Sequence, residues 1–349
     1  MNNRNKLSKM CRRNLMKKPN VIGVGMGCRH KNGQMTDVPA IVVLVSKKIP
    51  REDLHLNAVV PRSVRGNIVD VIEIGEVRLL GQEVGQFEEN SAAAGSRLRR
   101  YRPAPGGVSV GHFKISAGTL GAAVKEKGGG RRLILSNNHV LANTSAGNDG
   151  RSAIGDAVLQ PGAYDGGTAN TDTFALLKRF VPLKRTLQRS PCAIAGRWEK
   201  MANQALHLFA PHYRINLQKV YARGNLVDAA VAAPLNDADL ADEILGLGRV
   251  NRIADATVGQ IIRFSGRTSG LVQGNIIAED VSLFITMDSG EQLYFVDQLI
   301  ASAVCRPGDS GSLLVDIQNQ AVGLLFAGSD KVSVCNRIDH VCRLLEIEF

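Results

Sequence analysis

The sequence predicts a mainly β fold: from about residue 108 onward, a barrel or sandwich of short strands with one small helical insertion, preceded by a small strand-rich (α+β) unit. Three observations carry this. Short β-branched and apolar runs recur between glycine-rich turns, as in "AGTLGAAVKEKGGGRRLILSNNHVLA", which reads as two strands about Gly128-Gly129-Gly130. "TVGQIIRFSGRTSGLVQGNIIAE" and "QAVGLLFAGSDKVSVCNRI" repeat the same strand–turn–strand rhythm. One segment, residues 184–222, breaks it: the spacing of Trp198, Met201, Ala205 and Leu208 is closer to helical, and it reads as an insertion between strands.

Taken in order, residues 1–19 form a basic tail. Arg4, Lys6, Lys9, Arg12, Arg13, Lys17 and Lys18 precede Pro19-Asn20 without an acidic residue among them. Residues 20–82 form the small N-terminal unit. "NVIGVGMGCRH" and "PAIVVLVSKKI" are strands separated by a turn at Asn32-Gly33, and "GNIVDVIEIGEV" adds a strand with apolar/polar alternation. The glycines of "GVGMG" suit a bent strand better than a phosphate loop, because no helical pattern follows them. Residues 83–107 are small, polar and then basic (Arg97, Arg99, Arg100, Arg102), which reads as an exposed linker open to proteolytic nicking. Residues 108–349 make up the main domain.

Composition narrows the function classes. The chain has 349 residues, of which 44% are hydrophobic and 21% charged, values of an ordinary globular protein with ample core. The net charge of +11 suggests a nucleic-acid binder, yet seven of the cations sit in the first twenty residues. The basic tail is then a generic polyelectrolyte handle for an anionic partner, nucleic acid or an anionic membrane surface. No apolar run approaches the ~18–20 residues of a membrane span, and no signal-type apolar stretch follows the basic start, so a cytoplasmic protein without integral membrane association is expected. Cys11, Cys28, Cys192, Cys305, Cys335 and Cys342 form no CxxC pair and read as free thiols. His207 and His212 match no metal spacing, and neither a metal nor a nucleotide cofactor is implied.

The chemistry concentrates in three places. "RPGDSGSLLV" (306–315) sets Ser310 in a glycine-flanked turn before an apolar strand, where backbone N–H groups can converge beside a hydroxyl. "LILSNNHVLA" ends a strand at His139. "NLVDAAVA" puts Asp228 at the head of an apolar strand, where a buried carboxylate can orient an imidazole. Asp172, in "NTDTFALLKRF", is the competing acid, 33 residues after His139.

In these motifs the sequence resembles the trypsin/chymotrypsin-like serine proteases of bacterial type. The order His139, Asp228, Ser310 is the chymotrypsin-type order, and "GRTSGLVQG" (266–274) is similar to the G-x-T-[TS]-G-x-x-x-G strand of the bacterial members. The resemblance covers about residues 105–349 and implies a chymotrypsin-like double β-barrel acting on a protein or peptide substrate. It implies Ser310 as nucleophile, His139 as general base and then acid, Asp228 as the orienting acid, and the N–H groups of Gly308 and Ser310 as the oxyanion hole. Asp309 is expected to satisfy loop hydrogen bonds. Val304, six residues before the nucleophile, stands where trypsin-like enzymes selective for Arg or Lys carry an acid. Phe326-Ala327-Gly328 resembles the pocket wall, with Asn336 near the base, so a small or apolar P1 residue is expected. Two other readings compete: a catalytically silent binding protein on the same fold, and anionic-polymer or membrane binding through the basic tail.

Overall fold

The computed structural model describes residues 7–31, 33–80, 96–185, 187–189, 193–210, 212–213, 215, 218–220 and 224–349. Arg4, Lys6, Asn32, Cys192 and residues 83–95 of the expected linker lie outside the described residues. The mainly β expectation holds, with two large curled sheets at its centre.

The first sheet has eight strands, in the order Ile347–Glu348, Ala122–Glu126, Arg132–Ser136, Ala230–Pro234, Thr173–Phe180, Ala157–Leu159, Ser109–His112 and Gly118–Thr119. Val110, Leu120, Ile134, Leu141, Val158 and Phe174 fill its interior, all buried. In the second sheet six strands form a ring: Ile261–Gly266, Leu313–Val315, Ala321–Gly328, Ser333–Arg337, Gln292–Ala301 and Gly270–Thr286, the last pairing back onto the first. Phe264, Ile276, Leu299, Leu314 and Leu325 pack within it.

The strand Gly270–Thr286 explains how the N-terminal unit attaches. Its first half pairs with Ile261–Gly266, and register shifts between Ile276 and Leu283 then bend it away. The bent half carries Val21–Lys31 on its other side, followed by Gln34–Val45, Asn67–Glu73 and Ser63–Val64. Residues 20–74 therefore extend the second sheet instead of forming a separate layer. The glycines of "GVGMG" lie in extended strand with a register shift at Val24/Met26.

Two expected boundaries change. The basic tail contains a helix, Lys9–Met16, capped by Ser8 and seated on this sheet by Cys11 and Leu15. Arg12 is committed there: it pairs with Asp280 at 2.6 Å and donates to Val24 O and Ser282 Oγ, so it is no free handle. Residues 96–107 belong to the body. Arg97 is buried and donates to Gly107 O and Ser265 Oγ, and Ala104–Gly106 pairs with Leu240–Ile244. Buried backbone is a poor protease site, which removes the Arg97 end of that stretch as an exposed connection.

Between the sheets lies a shared core. Leu133, Leu135 and Val231 of the first sheet meet Leu313, Val315 and Leu324 of the second. The helix Ile338–Leu345 closes this core because Ile338, Val341, Cys342 and Leu345 recur at helical spacing on one face. Burying each such aliphatic side chain contributes about 1.5–3 kcal/mol. The insertion holds a helix, Ala193–Phe209, as expected, with Trp198, Met201 and Phe209 exposed. No helix of the described residues is long and apolar enough to cross a membrane.

Candidate active site

The site forms where the two sheets meet. His139 lies in the single helical turn Asn138–Leu141 that follows the strand Arg132–Ser136, and the next residues, Val140 to Ala142, anchor it in the first sheet's core. The two asparagines before it have separate tasks. Asn137 Nδ2 donates to Asp228 O at 2.8 Å, and Asn138 ties the turn to Ser145 and Val181 through three hydrogen bonds.

Asp228 stands just before the strand Ala230–Pro234, which pairs with Arg132–Ser136 and so delivers the acid beside the histidine. Its Oδ2 lies 2.6 Å from His139 Nδ1, and its Oδ1 accepts the His139 backbone N–H at 3.2 Å. Both side chains are buried, where an ionised carboxylate requires such partners. The Asp228 backbone is clamped as well: its N–H donates to Asn336 Oδ1, and its carbonyl accepts from Asn336 Nδ2 and Asn137 Nδ2. Asn336 thus leaves its expected place at a pocket base, because both of its polar ends are spent holding Asp228 and Leu324. Asp172 is elsewhere. Its carboxylate accepts from Thr171 Oγ1 and Thr168 N–H and faces Arg100; the Thr171 bond foremost, with Thr168 and the two nearby arginines, holds it below the usual range.

Ser310 comes from the second sheet's turn before Leu313–Val315. Thr119 fastens this turn to the first sheet: its N–H donates to Ser310 O at 2.7 Å, and its Oγ1 donates to Gly308 O at 2.8 Å. Gly118 marks how close the two sides come, since a Cβ there would lie 2.5 Å from Val140 Cγ2 and 3.1 Å from Ser310 O. The "GRTSG" motif supports the turn from below. Thr268 Oγ1 donates to Pro307 O, and the Thr268 and Ser269 N–H groups both donate to Asp309 Oδ1, while Arg306 N–H reaches Oδ2. Asp309 therefore satisfies the loop from a fully buried position. Burial raises its carboxyl above the usual range, and these bonds oppose the rise.

Gly308 adopts φ +96°, a conformation that favours glycine, and an added Cβ would sit 2.4 Å from Thr268 Oγ1. Its N–H donates to the carbonyl of Leu80 at 3.0 Å. His139 Nε2 is buried with no hydrogen-bond partner among the described residues, and Ser310 Oγ, itself fully buried, donates to Phe326 O at 3.3 Å.

The expected substrate pocket is rearranged. Val304 is 43% exposed and does not line a buried pocket floor. Its neighbours Ala303 and Cys305 turn inward instead, packing with Leu80 and Leu325. Burial pushes the Cys305 thiol up to about 12, which makes it inert as a nucleophile. Phe326 sends its ring into the core against Phe295, 4.7 Å away, so only its backbone faces the site. Ala327 and Gly328 pair antiparallel with Leu79 and Arg78. A cleft of about 140 Å³ lies beside His139, lined by Leu79, Thr144, Arg151, Met287, Asp288 and Ser289. Among the described residues, no group of three or more His, Cys, Asp or Glu side chains is disposed to hold a metal ion. Thr119, Asn137, Asn336 and Leu80 were not singled out for these tasks by sequence, since nothing local marks a residue whose partner is 90 or more positions away.

Comparison with known proteins finds two kinds of likeness. A family model described as the NARROW LEAF 1 N-terminal domain matches residues 4–74, the stretch that the protease resemblance leaves uncovered. Protein NARROW LEAF 1 of Oryza sativa subsp. japonica is 27% identical over 159 residues, 44% of this chain; the match spans about a quarter (27%) of that protein's own length. Among solved structures, Thermobifida fusca Protease A is similar with a TM-score of 0.43 at 13% identity, covering 70% of this chain and 96% of that one. Nocardiopsis protease (TM-score 0.42, 15% identity) and Cellulomonas bogoriensis chymotrypsin (0.42, 16%) each cover 70% of this chain and 97% of their own.

Proposed function

We propose that this chain is a serine endopeptidase that hydrolyses peptide bonds through an acyl-enzyme intermediate. The observation that carries the reading is the buried Asp228–His139 pair on one sheet, set against the Gly308–Ser310 turn of the other, with the Gly308 N–H already donating to a peptide carbonyl. In this reading Ser310 Oγ attacks the scissile carbonyl and His139 Nε2 takes its proton. Asp228 keeps Nδ1 protonated and so leaves Nε2 free to accept. The Gly308 N–H, together with that of Ser310, binds the oxyanion as charge develops. The apolar surroundings of Ala303, Cys305 and Leu325 favour a small or apolar P1 side chain, since a cationic one would be buried unpaired.

A second reading, a silent binding protein on a protease scaffold, draws on one observation: Ser310 Oγ bonds Phe326 O and not His139. A fluorophosphonate probe separates the two. Labelling that maps to Ser310 and disappears in Ser310→Ala and His139→Ala supports the peptidase. Failure to label a variant with an open cleft, such as Leu80→Glu, establishes the scaffold.

A further inference from the structure

The segment Val77–Leu80 lies in the cleft that the peptidase reading assigns to substrate, and it lies there as a substrate would. It runs antiparallel to the strand Ala321–Gly328, with Leu79 opposite Ala327 and Arg78 opposite Gly328, which adds a strand to the sheet edge beside the nucleophile. Its other side is held by Thr286, which pairs with Arg78 and donates its N–H to Val77 O. The carbonyl of Leu80 then receives the Gly308 N–H at 3.0 Å. The Leu80 side chain is buried against Ala303, Cys305 and Leu325, and Leu79 lines the cleft beside His139. Four independent contacts thus share one register: backbone pairing, oxyanion donor, apolar pocket and histidine-side cleft. They also account for the burial of Ser310 and His139, which an unoccupied active site would leave open.

From this register we infer that the chain cleaves itself after Leu80, with Leu80 as the P1 residue and Leu79 as P2. The inference rests on the peptidase reading and names its first substrate. Ser310 Oγ attacks the Leu80 carbonyl carbon, and its proton passes to His139 Nε2. The bond from that carbon to the nitrogen of Gly81, the next residue in sequence, breaks as His139 returns the proton to the departing amine. Water, deprotonated by His139, then hydrolyses the Leu80 ester, leaving a Leu80 carboxylate and restoring the Ser310 hydroxyl. Because residues 20–74 remain paired with Gly270–Thr286, cutting does not by itself release the N-terminal strands. The same seated segment sets the specificity for other peptides: leucine-like at P1, apolar at P2.

Intact-mass measurement and N-terminal sequencing of the purified full chain over a time course test this. The expected result is conversion of the 37.5 kDa chain into a fragment ending at Leu80 and one beginning at Gly81. The rate should be independent of protein concentration, since the segment is seated in its own chain. Ser310→Ala should stay intact, and Leu80→Glu should slow the cut at least a hundredfold. Leu80→Ala, which introduces no charge, should slow it to a lesser degree and guards against a folding defect in the glutamate variant. Cleavage at another bond, equal cleavage in Ser310→Ala, or an undiminished rate in both Leu80 variants overturns the inference. A wild-type chain that stays whole while fluorophosphonate labels Ser310 of Leu80→Glu also overturns it, yet leaves the peptidase reading standing. Labelling of neither protein removes both.

Discussion

Replacing Asp228 by asparagine changes one atom and should separate orientation from packing. The carboxylate is wholly buried, with Oδ2 2.6 Å from His139 Nδ1 and Oδ1 3.2 Å from the His139 N–H. Both facing groups are donors, so both positions must accept. An amide fills only one of them. If its oxygen faces Nδ1, its NH₂ opposes the backbone N–H. If it turns over, its NH₂ donates to Nδ1, the ring proton moves to Nε2, and the imidazole no longer takes a proton from Ser310. The tautomer penalty in such a site is about 10⁴ in kcat, or about 5.5 kcal/mol in the barrier at ~1.36 kcal/mol per decade. The stability loss should be smaller, about 1–3 kcal/mol for one unsatisfied buried group, because the Asn137 and Asn336 clamps on the backbone survive.

The assay is hydrolysis of an acyl-leucine chromogenic peptide in a Leu80→Glu background, where the chain's own segment does not compete, with a urea midpoint measured beside it. Asp172→Asn in the same background should stay within threefold, since its partners are Thr171, Thr168 and Arg100. Asp228→Asn retaining a tenth or more of the rate would refute the reasoning, and so would Asp172→Asn proving the crippled variant.

Two further outcomes follow from the geometry. Gly308→Ala forces a side chain into φ +96° and to within 2.4 Å of Thr268 Oγ1, so thermal unfolding should register a loss of about 1–3 kcal/mol. Turnover should fall by about 10²–10³ as the oxyanion donor shifts; a loss of stability without loss of turnover would argue against that role. Burial pushes the His112 imidazole below its ordinary 6.5, against the opposing pull of Asp156 2.9 Å away. The unfolded chain therefore takes up a proton near pH 6.5 that the folded chain refuses until lower pH, so this group contributes stability above 6.5 that is lost as pH falls below it. Urea midpoints at pH 7.5 and 5.5 should drop less for His112→Gln than for wild type, and equal drops would assign the pH dependence elsewhere.

Much of the fold was legible because strand periodicity and glycine turns are local signals. The β-branched runs, the Gly128–Gly130 turn and the helical spacing around Trp198 each describe a few neighbouring residues, and each became the expected element. The motifs around His139 and Ser310 were legible for the same reason, since a strand end and a glycine turn constrain their own side chains. What failed were statements about distant partners. Val304 was expected to face a pocket, yet the chain turns so that Ala303 and Cys305 face inward and Val304 faces solvent. Asn336 was expected near the base of that pocket, but the pairing of Ser333–Arg337 with Ala321–Gly328 points it at Asp228. The Arg97 stretch looked like linker because it is basic, and tertiary hydrogen bonds to Gly107 and Ser265 bury it.

By itself, then, the sequence determined a β-rich chain with a nucleophile-type turn, a histidine at a strand end and an acid at the head of another strand. Those features follow from backbone preferences and side-chain type within a few residues. Only the tertiary structure decided which acid meets the histidine, because that depends on Arg132–Ser136 pairing with Ala230–Pro234 across some ninety residues. It alone placed Leu80 beneath the Gly308 N–H, since strand pairing over about 230 residues leaves no periodic mark in either segment.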